Sequence, residues 1–195
     1  MTAPVKPHRS MAAYAATLQQ LAEDGIDHGL QYGTPPKVDP SAYPAALRDP
    51  RAVFVTLLDR DGELRGCIGR LETDRPLAVE VSANAYAAAF QDPRFPALTR
   101  AERPGTACKL SILTPLEPLQ FADEEDLVAQ LDPGVDGILI EASGTRGTLL
   151  PAAWDQLPGP WAFWRGVKAK AGLAEDTLPS DLAVYRYQAE EIDGT

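Results

Sequence analysis

One stretch, Leu64-Arg65-Gly66-Cys67-Ile68-Gly69, follows closely on Asp61-Gly62, a dipeptide typical of tight hairpin turns. We call residues 64–69 the hexapeptide. The apolar run Val53–Leu58 precedes the turn, so the pattern predicts a β-hairpin. Alternate side chains of a strand point to opposite faces. One face would pack into a core and carry Leu64, Gly66 and Ile68. The other would carry Arg65, Cys67 and Gly69.

The second face of this strand is unusual for a protein core, because it combines a guanidinium, a thiol and no bulk. Glycine inside a strand weakens it and often marks a bulge or the close approach of a ligand or another backbone. We therefore predict that the chain holds this strand at a cleft. The residues alone leave open whether a reaction takes place there.

The composition limits the classes of function. The chain has 195 residues, of which 45% are hydrophobic and 24% charged, as expected for one globular domain or two small lobes. The formal net charge of −10 argues against binding nucleic acid through phosphate contacts and against docking on anionic membranes. No apolar run approaches the length of a membrane-spanning helix, so we expect no membrane segment.

Cysteine usage indicates a reducing compartment. The two cysteines, Cys67 and Cys108, form no CxxC pair, which fits neither a disulfide framework nor a zinc ribbon. The N-terminal residues 1–9 are predicted to be a tail. They carry basic residues, but no apolar run follows, so we expect no signal peptide and a cytoplasmic protein.

Helices and strands of moderate length are predicted along the rest of the chain. The helices are expected at residues 10–24 (ended by Gly25), at 76–91, at 124–131 and in a segment ending near Ala171. The strands are expected at 53–58, 64–71, 107–114, 137–142, 146–150 and 183–192. This order predicts an α+β protein, and its two well-separated hairpins suggest two antiparallel sheets.

Most familiar catalytic devices are missing from the sequence. Both histidines, His8 and His28, lie in the N-terminal region, so a Ser-His-Asp or Cys-His arrangement would need His28 to fold back. No HExxH, GxGxxG, GxxxxGK[ST] or EF-hand pattern is present. We therefore expect neither a metal site nor a cofactor.

Cys67 is the remaining candidate nucleophile. Nearby positive charge favours a reactive thiolate, and Arg65 would lie on the same face, about 6.6 Å away by two strand rises. Further charge could come from three other arginines, Arg70, Arg94 and Arg146. The alternative is a buried, inert cysteine that fills space, which is also our interpretation of Cys108.

The segment Asp92-Pro93-Arg94-Phe95-Pro96 is expected to be a rigid loop, since each proline fixes its own φ and restricts the preceding residue. Asp92 is predicted to bond the backbone two residues on, in an Asx turn. The loop would then present Arg94 either as a structural residue or toward the same cleft as Cys67.

Several of these stretches resemble the AMMECR-type domain, which is protein A of the AmmeMemoRadiSam system. The hexapeptide matches its hallmark LRGCIG. Other segments that resemble the family are Val53–Leu57, Asp92–Leu98, Leu110–Pro115, Asp136–Ile138, Arg146–Pro151 and Lys170–Leu173. Arg70 and Ala97 depart from the family pattern. Together the matches span roughly residues 10–192.

The resemblance implies two lobes, each with an antiparallel sheet and flanking helices, with the hexapeptide pointing into the cleft between them. We expect a large lobe at 1–120 plus 178–195, containing both termini, and a small lobe at 121–177. The family has no settled activity. Its system implies radical SAM and Memo-like partner proteins and a role in modifying a protein or another large substrate.

Two hypotheses remain open. In the first, the protein is an enzyme that uses Cys67, with Arg65 stabilising the thiolate or orienting an anion. In the second, it is a binding module, and Cys67 only fills space. Its cleft would then be lined by Gly66, Gly69, Asp92, Arg94 and Arg146.

Overall fold

Five α-helices and eight strands make up most of the computed structural model, which describes residues 10–157 and 159–194. The predicted tail at residues 1–9 lies outside the described part. The helices are α1 Ala15–Tyr32, α2 Ala45–Arg48, α3 Leu77–Phe90, α4 Glu124–Ala129 and α5 Pro160–Lys170. The strands are β1 Val53–Leu58, β2 Leu64–Gly69, β3 Ala107–Leu113, β4 Glu117–Pro118, β5 Gly137–Ala142, β6 Thr145–Leu149, β7 Ala183–Tyr187 and β8 Ala189–Asp193.

The predicted α+β class is confirmed, with two antiparallel four-stranded sheets flanked by helices. The strand orders are β2-β1-β3-β8 and β4-β7-β5-β6. The chain divides into two compact units. Of the described residues, the first unit contains those up to Leu113 and those from Glu190 onward, and the second contains those from Thr114 to Ala189. The predicted small lobe, 121–177, falls within the second unit, whose sheet also includes β4 and β7.

The core of the first unit forms on one face of β1. Fully buried and half-buried residues alternate along β1, and the fully buried ones are Val53, Val55 and Leu57. Helix α3 packs on this face and is buried over most of its surface, and α1 packs against α3 in the same core. Cys108 joins the same core, as predicted, and burial raises the pKa of its thiol to about 12.

The hairpin of β1 and β2 forms at the predicted positions, but its alternation is interrupted. Leu58 pairs with Leu64 and Leu57 with Gly66, so Arg65 is an extra residue on β2, as in a β-bulge. The prediction that Leu64 is anchored in the core is therefore wrong. Leu64 pairs with a residue of the outer face and is 42% exposed, whereas Ile68 packs against the core.

Helix α1 is longer than predicted. It continues through Gly25 to Tyr32 and is capped by Gly33, whose φ of +72° suits a glycine. Gly25 is needed for close helix packing, because a methyl group there would lie 2.5 Å from the carbonyl oxygen of Ser82 on α3. Gly29, one turn later, meets the Phe90 ring in the same way. Tertiary packing thus overrides a local stop signal.

The second unit buries α5 against its sheet. The fully buried Phe163 and Trp164 lie on α5, and Phe163 stacks on Trp154 at 3.9 Å between ring centroids. The last predicted strand, 183–192, is two strands that belong to different sheets. They separate at Gln188, whose backbone N–H donates to the Thr114 side chain at 2.8 Å.

Candidate functional site

The hexapeptide forms an edge strand whose outer side is closed by a loop. Backbone groups that face outward on an edge strand have no neighbouring strand to bond. At Cys67 both are satisfied by one side-chain pair. The backbone N–H donates to Asp92 Oδ2 at 2.8 Å, and the carbonyl oxygen accepts from Arg94 Nη2 at 3.3 Å. We call this arrangement the Asp92–Arg94 clamp.

Asp92 organises the clamp. Its side chain is 2% exposed and accepts the Arg94 backbone N–H at 3.0 Å, which confirms the predicted Asx turn. It also accepts Arg94 Nε at 3.0 Å and Nη2 at 2.7 Å. The hydrogen bonds from the Arg94 guanidinium hold the pKa of the Asp92 carboxyl well below its usual range, against the opposing effect of burial. The pair is therefore fully charged at neutral pH.

The Cys67 thiol is half-buried and has a polar neighbour that the sequence analysis missed. Thr56 of β1 pairs directly with Cys67, and its hydroxyl donates to Sγ at 3.3 Å. Since the backbone groups of Cys67 point outward, this is a non-hydrogen-bonded pair, in which facing side chains lie closest. Counting the hairpin register from the Asp61-Gly62 turn could have identified Thr56.

Arg65 extends from the bulge to a neighbouring loop. Its Nε donates to Glu102 Oε1 at 2.9 Å, and its Nη2 donates to the carbonyl oxygen of Pro96 at 2.9 Å. The hydrogen bond from Arg65 is the main reason why the pKa of Glu102 falls to about 2. Phe95 lies between the two arginines, with its centroid 5.9 Å from the Arg65 guanidinium carbon and 5.5 Å from that of Arg94. In this structure Arg65 fastens the loop that follows the clamp.

At both glycines of the hexapeptide, the space that a side chain would need is occupied by other atoms of the chain. A methyl group at Gly66 would lie 2.2 Å from the carbonyl oxygen of Ala88, on α3. One at Gly69 would lie 2.4 Å from the Phe54 ring, since Phe54 is its partner on β1. Internal packing therefore accounts for both glycines.

The structure brings Cys67, Asp92 and Arg94 into direct contact and links Arg65 to them through Phe95. Arg146 belongs to the second unit, where its Nε donates to Glu141 Oε1 on the paired strand at 2.6 Å. Arg70, another predicted source of charge, pairs at 3.5 Å with the buried Glu80 of α3.

Within the described residues no cluster of three or more His, Cys, Asp or Glu side chains is placed to hold a metal ion. In the same part of the chain, no helix combines the length and the apolar character needed to cross a membrane. His28 Nδ1 lies 2.6 Å from the carbonyl oxygen of Thr34.

Comparisons with known proteins place this site in context. A family described as AMMECR1 matches residues 19–192. A protein of Methanothermobacter thermautotrophicus is 36% identical over 89% of this chain and 91% of its own length. A protein of Thermofilum pendens is 36% identical over 93% of this chain and 90% of its own length. The crystal structure of uncharacterized protein PH0010 from Pyrococcus horikoshii superposes with a TM-score of 0.79 at 31% identity, covering 92% of this chain and 90% of that one.

Proposed function

The chain belongs to the AMMECR1 family, and on that premise we propose that it is a binding component of the AmmeMemoRadiSam modification system. In this proposal it acts with radical SAM and Memo-like proteins. It holds a protein partner or another large substrate against the exposed part of the hexapeptide strand and the loop that follows Asp92.

The observation that supports this proposal is the Asp92–Arg94 clamp. It fixes an arginine that is 54% exposed beside the hexapeptide, on a loop stiffened by two prolines. The hydrogen bonds to Asp92 and Cys67 use Nε and Nη2, so within the described residues Nη1 remains available to an acceptor. Because the guanidinium is ordered before binding, less conformational entropy is lost when a partner carboxylate or carbonyl is bound.

The test is capture of purified radical SAM and Memo-like proteins on the immobilised chain. Arg94→Gln should abolish capture, because it removes the charged fork. Arg94→Lys keeps the charge without the fork and should retain only part of the binding. Cys67→Ala should bind like the wild type. Failure of the wild type to capture either partner, or equal loss in Cys67→Ala and Arg94→Gln, would refute the proposal.

A second candidate function is catalysis by Cys67 as a nucleophile. It is favoured by the hydrogen bond from the Thr56 hydroxyl, which would stabilise a thiolate. It is also favoured by the positive charge of Arg94, whose Nη2 donates to the carbonyl oxygen of Cys67. Alkylation by iodoacetamide across a pH series tests it, with Cys67→Ser to subtract Cys108. Catalysis predicts fast modification at neutral pH that slows in Thr56→Val. Modification no faster than that of a free thiol would exclude it.

A further inference from the structure

The second unit contains a pocket that plays no part in the proposed function. It is an open depression between the start of α4, the exposed side of α5 and the segment that follows α5, with a volume of about 540 Å³. This volume is in the range of small-molecule sites. Its lining combines an aromatic ring with charged groups: Glu124, Trp161, Arg165, Lys168, Glu175 and Asp176.

Two tryptophans of α5 differ in a way that points to a ligand. Trp164 is fully buried, and its indole N–H donates to Glu124 at 2.5 Å. Trp161 lies one turn earlier, lines the pocket and is 43% exposed. Within the described residues its indole N–H makes no hydrogen bond. Trp164 thus serves the core, whereas Trp161 offers an aromatic surface to an occupant.

The positive charges of the pocket are already neutralised. The Lys168 side chain is 1% exposed, and its Nζ donates to Glu124 Oε1 at 2.5 Å and to the carbonyl oxygen of Glu175. Arg165 Nη1 donates to Glu175 Oε1 at 2.8 Å. Each of these cations therefore already has a carboxylate partner within the pocket. The charge that remains determines which ligand the pocket favours.

The remaining charge is negative. Burial opposes the ionisation of Glu124, but the hydrogen bonds from Lys168 and Trp164 keep its pKa below the ordinary value, so it is a carboxylate at neutral pH. Asp176 is exposed and makes no ion pair within the described part of the chain. Three carboxylates thus face two cations, and the unpaired one lies in the same pocket as the exposed indole.

We propose that this pocket binds an organic cation, an ammonium or guanidinium group on an apolar stem, with Trp161 as its aromatic platform and Asp176 as its counter-charge. Indole is the aromatic ring that attracts cations most strongly, and a carboxylate adds directional hydrogen bonds. The same chemistry is carried by a lysine or arginine side chain of a protein and by a free polyamine.

The indole N–H resonances of the three tryptophans provide the test, in a titration of the full chain followed by ¹H–¹⁵N NMR. The probes are N-acetyl-lysine methylamide, N-acetyl-arginine methylamide and putrescine, with N-acetyl-norleucine methylamide as the uncharged control. We expect a saturable shift of Trp161 with the cations, while Trp154 and Trp164 stay in place. Stronger binding of the capped amino acids would identify a protein side chain, and stronger binding of putrescine a free amine.

Variants define which groups bind. Asp176→Asn should raise the dissociation constants of the cations about tenfold, which is in the upper range for one charge-assisted contact at a surface. Trp161→Leu should abolish the shifts of the backbone amides around the pocket, and Trp161→Phe should restore part of them. Equal binding of the norleucine compound would mean an apolar groove instead. That result, or no saturable shift with any cation, would overturn the proposal.

Discussion

The two edge strands β2 and β6 make an instructive comparison, because each contains an Arg-Gly pair, Arg65-Gly66 in one and Arg146-Gly147 in the other. In both, the glycine admits a helical segment. A methyl group would lie 2.2 Å from the carbonyl oxygen of Ala88 in the first strand, and 2.4 Å from the backbone nitrogen of Ala171 in the second.

The two strands differ in what their charges do. Arg146 pairs with Glu141 directly across the hairpin, and both side chains are largely exposed. Arg65 is the bulged residue and reaches Glu102, with only 11% of its side chain exposed. The Asp92–Arg94 clamp then binds the backbone of Cys67, the residue that follows the Arg-Gly pair. The Arg-Gly pair is thus a packing feature common to both units, and the clamp is what distinguishes the hexapeptide.

Substituting the two glycines should have the largest effects on stability, and these effects should be similar in the two strands. Gly66→Val and Gly147→Val each force a side chain into helix backbone, so each should lower the free energy of unfolding by roughly 3 kcal/mol or more. Urea denaturation measures this. Gly166→Ala is the control. Its new methyl meets flexible leucine ends at 3.0 and 3.2 Å and gains helix propensity, so it should change stability by less than about 1 kcal/mol. Tolerance of either valine would refute the shared packing role.

Removing a carboxylate should affect stability far more at the clamp on β2 than at the ion pair on β6. Asp92→Asn loses charged hydrogen bonds in a buried position and should cost roughly 3 kcal/mol, toward the lower limit for broken buried pairs because Arg94 can be hydrated. Glu141→Gln, the matched change in the exposed pair, should cost less than about 1 kcal/mol. Equal losses in urea denaturation would show that the clamp is no stronger than a surface ion pair.

The pH dependence of stability is a second signature of the clamp. The folded-state pKa of Asp92 is lowered by Arg94, whereas the unfolded value is about 3.9. Its contribution is therefore fully present above the unfolded pKa and is lost as the pH falls toward the folded one. The stability difference between wild type and Asp92→Asn should stay constant down to about pH 5 and narrow steadily below about pH 4. A constant difference in more acidic buffer would contradict this assignment.

The smallest predicted effects concern the two arginines. Arg65→Gln breaks two hydrogen bonds of a nearly buried guanidinium and should cost about 2 kcal/mol. Arg146→Gln removes an ion pair whose side chains are 51% and 40% exposed, so it should lower the free energy of unfolding by less than about 0.5 kcal/mol. This small loss should disappear in high salt. Thermal unfolding with and without salt measures both changes. A salt-sensitive Arg65 effect of the same size would remove the distinction.

Local patterns predicted the parts of the fold that local interactions determine. Both hairpins follow from alternating apolar residues and turn-forming dipeptides, and the Asx turn at Asp92 follows from its proline-rich context. Helix α1 runs past Gly25 because α3 packs there, and no local signal near Gly25 carries that information.

The candidate site was predicted only in part for the same reason. The bulged residue Arg65 pairs with Glu102, 37 residues away, and the sequence offers no means of choosing this partner among many carboxylates. Thr56 could have been found from the hairpin register. The clamp partners of Cys67 were both named as candidates, but their bonds to its backbone could not be seen without the fold.

In the proposed function, the hexapeptide and its clamp bind a partner, and the thiol is dispensable for this. The most direct measurement is the dissociation constant of the complex with the radical SAM or Memo-like protein, for wild type, Cys67→Ala and Arg94→Gln. We predict that Cys67→Ala stays within about twofold of the wild type and that Arg94→Gln weakens binding at least about tenfold, which corresponds to roughly 1.4 kcal/mol. Strong weakening by Cys67→Ala with unchanged binding by Arg94→Gln would contradict the claim.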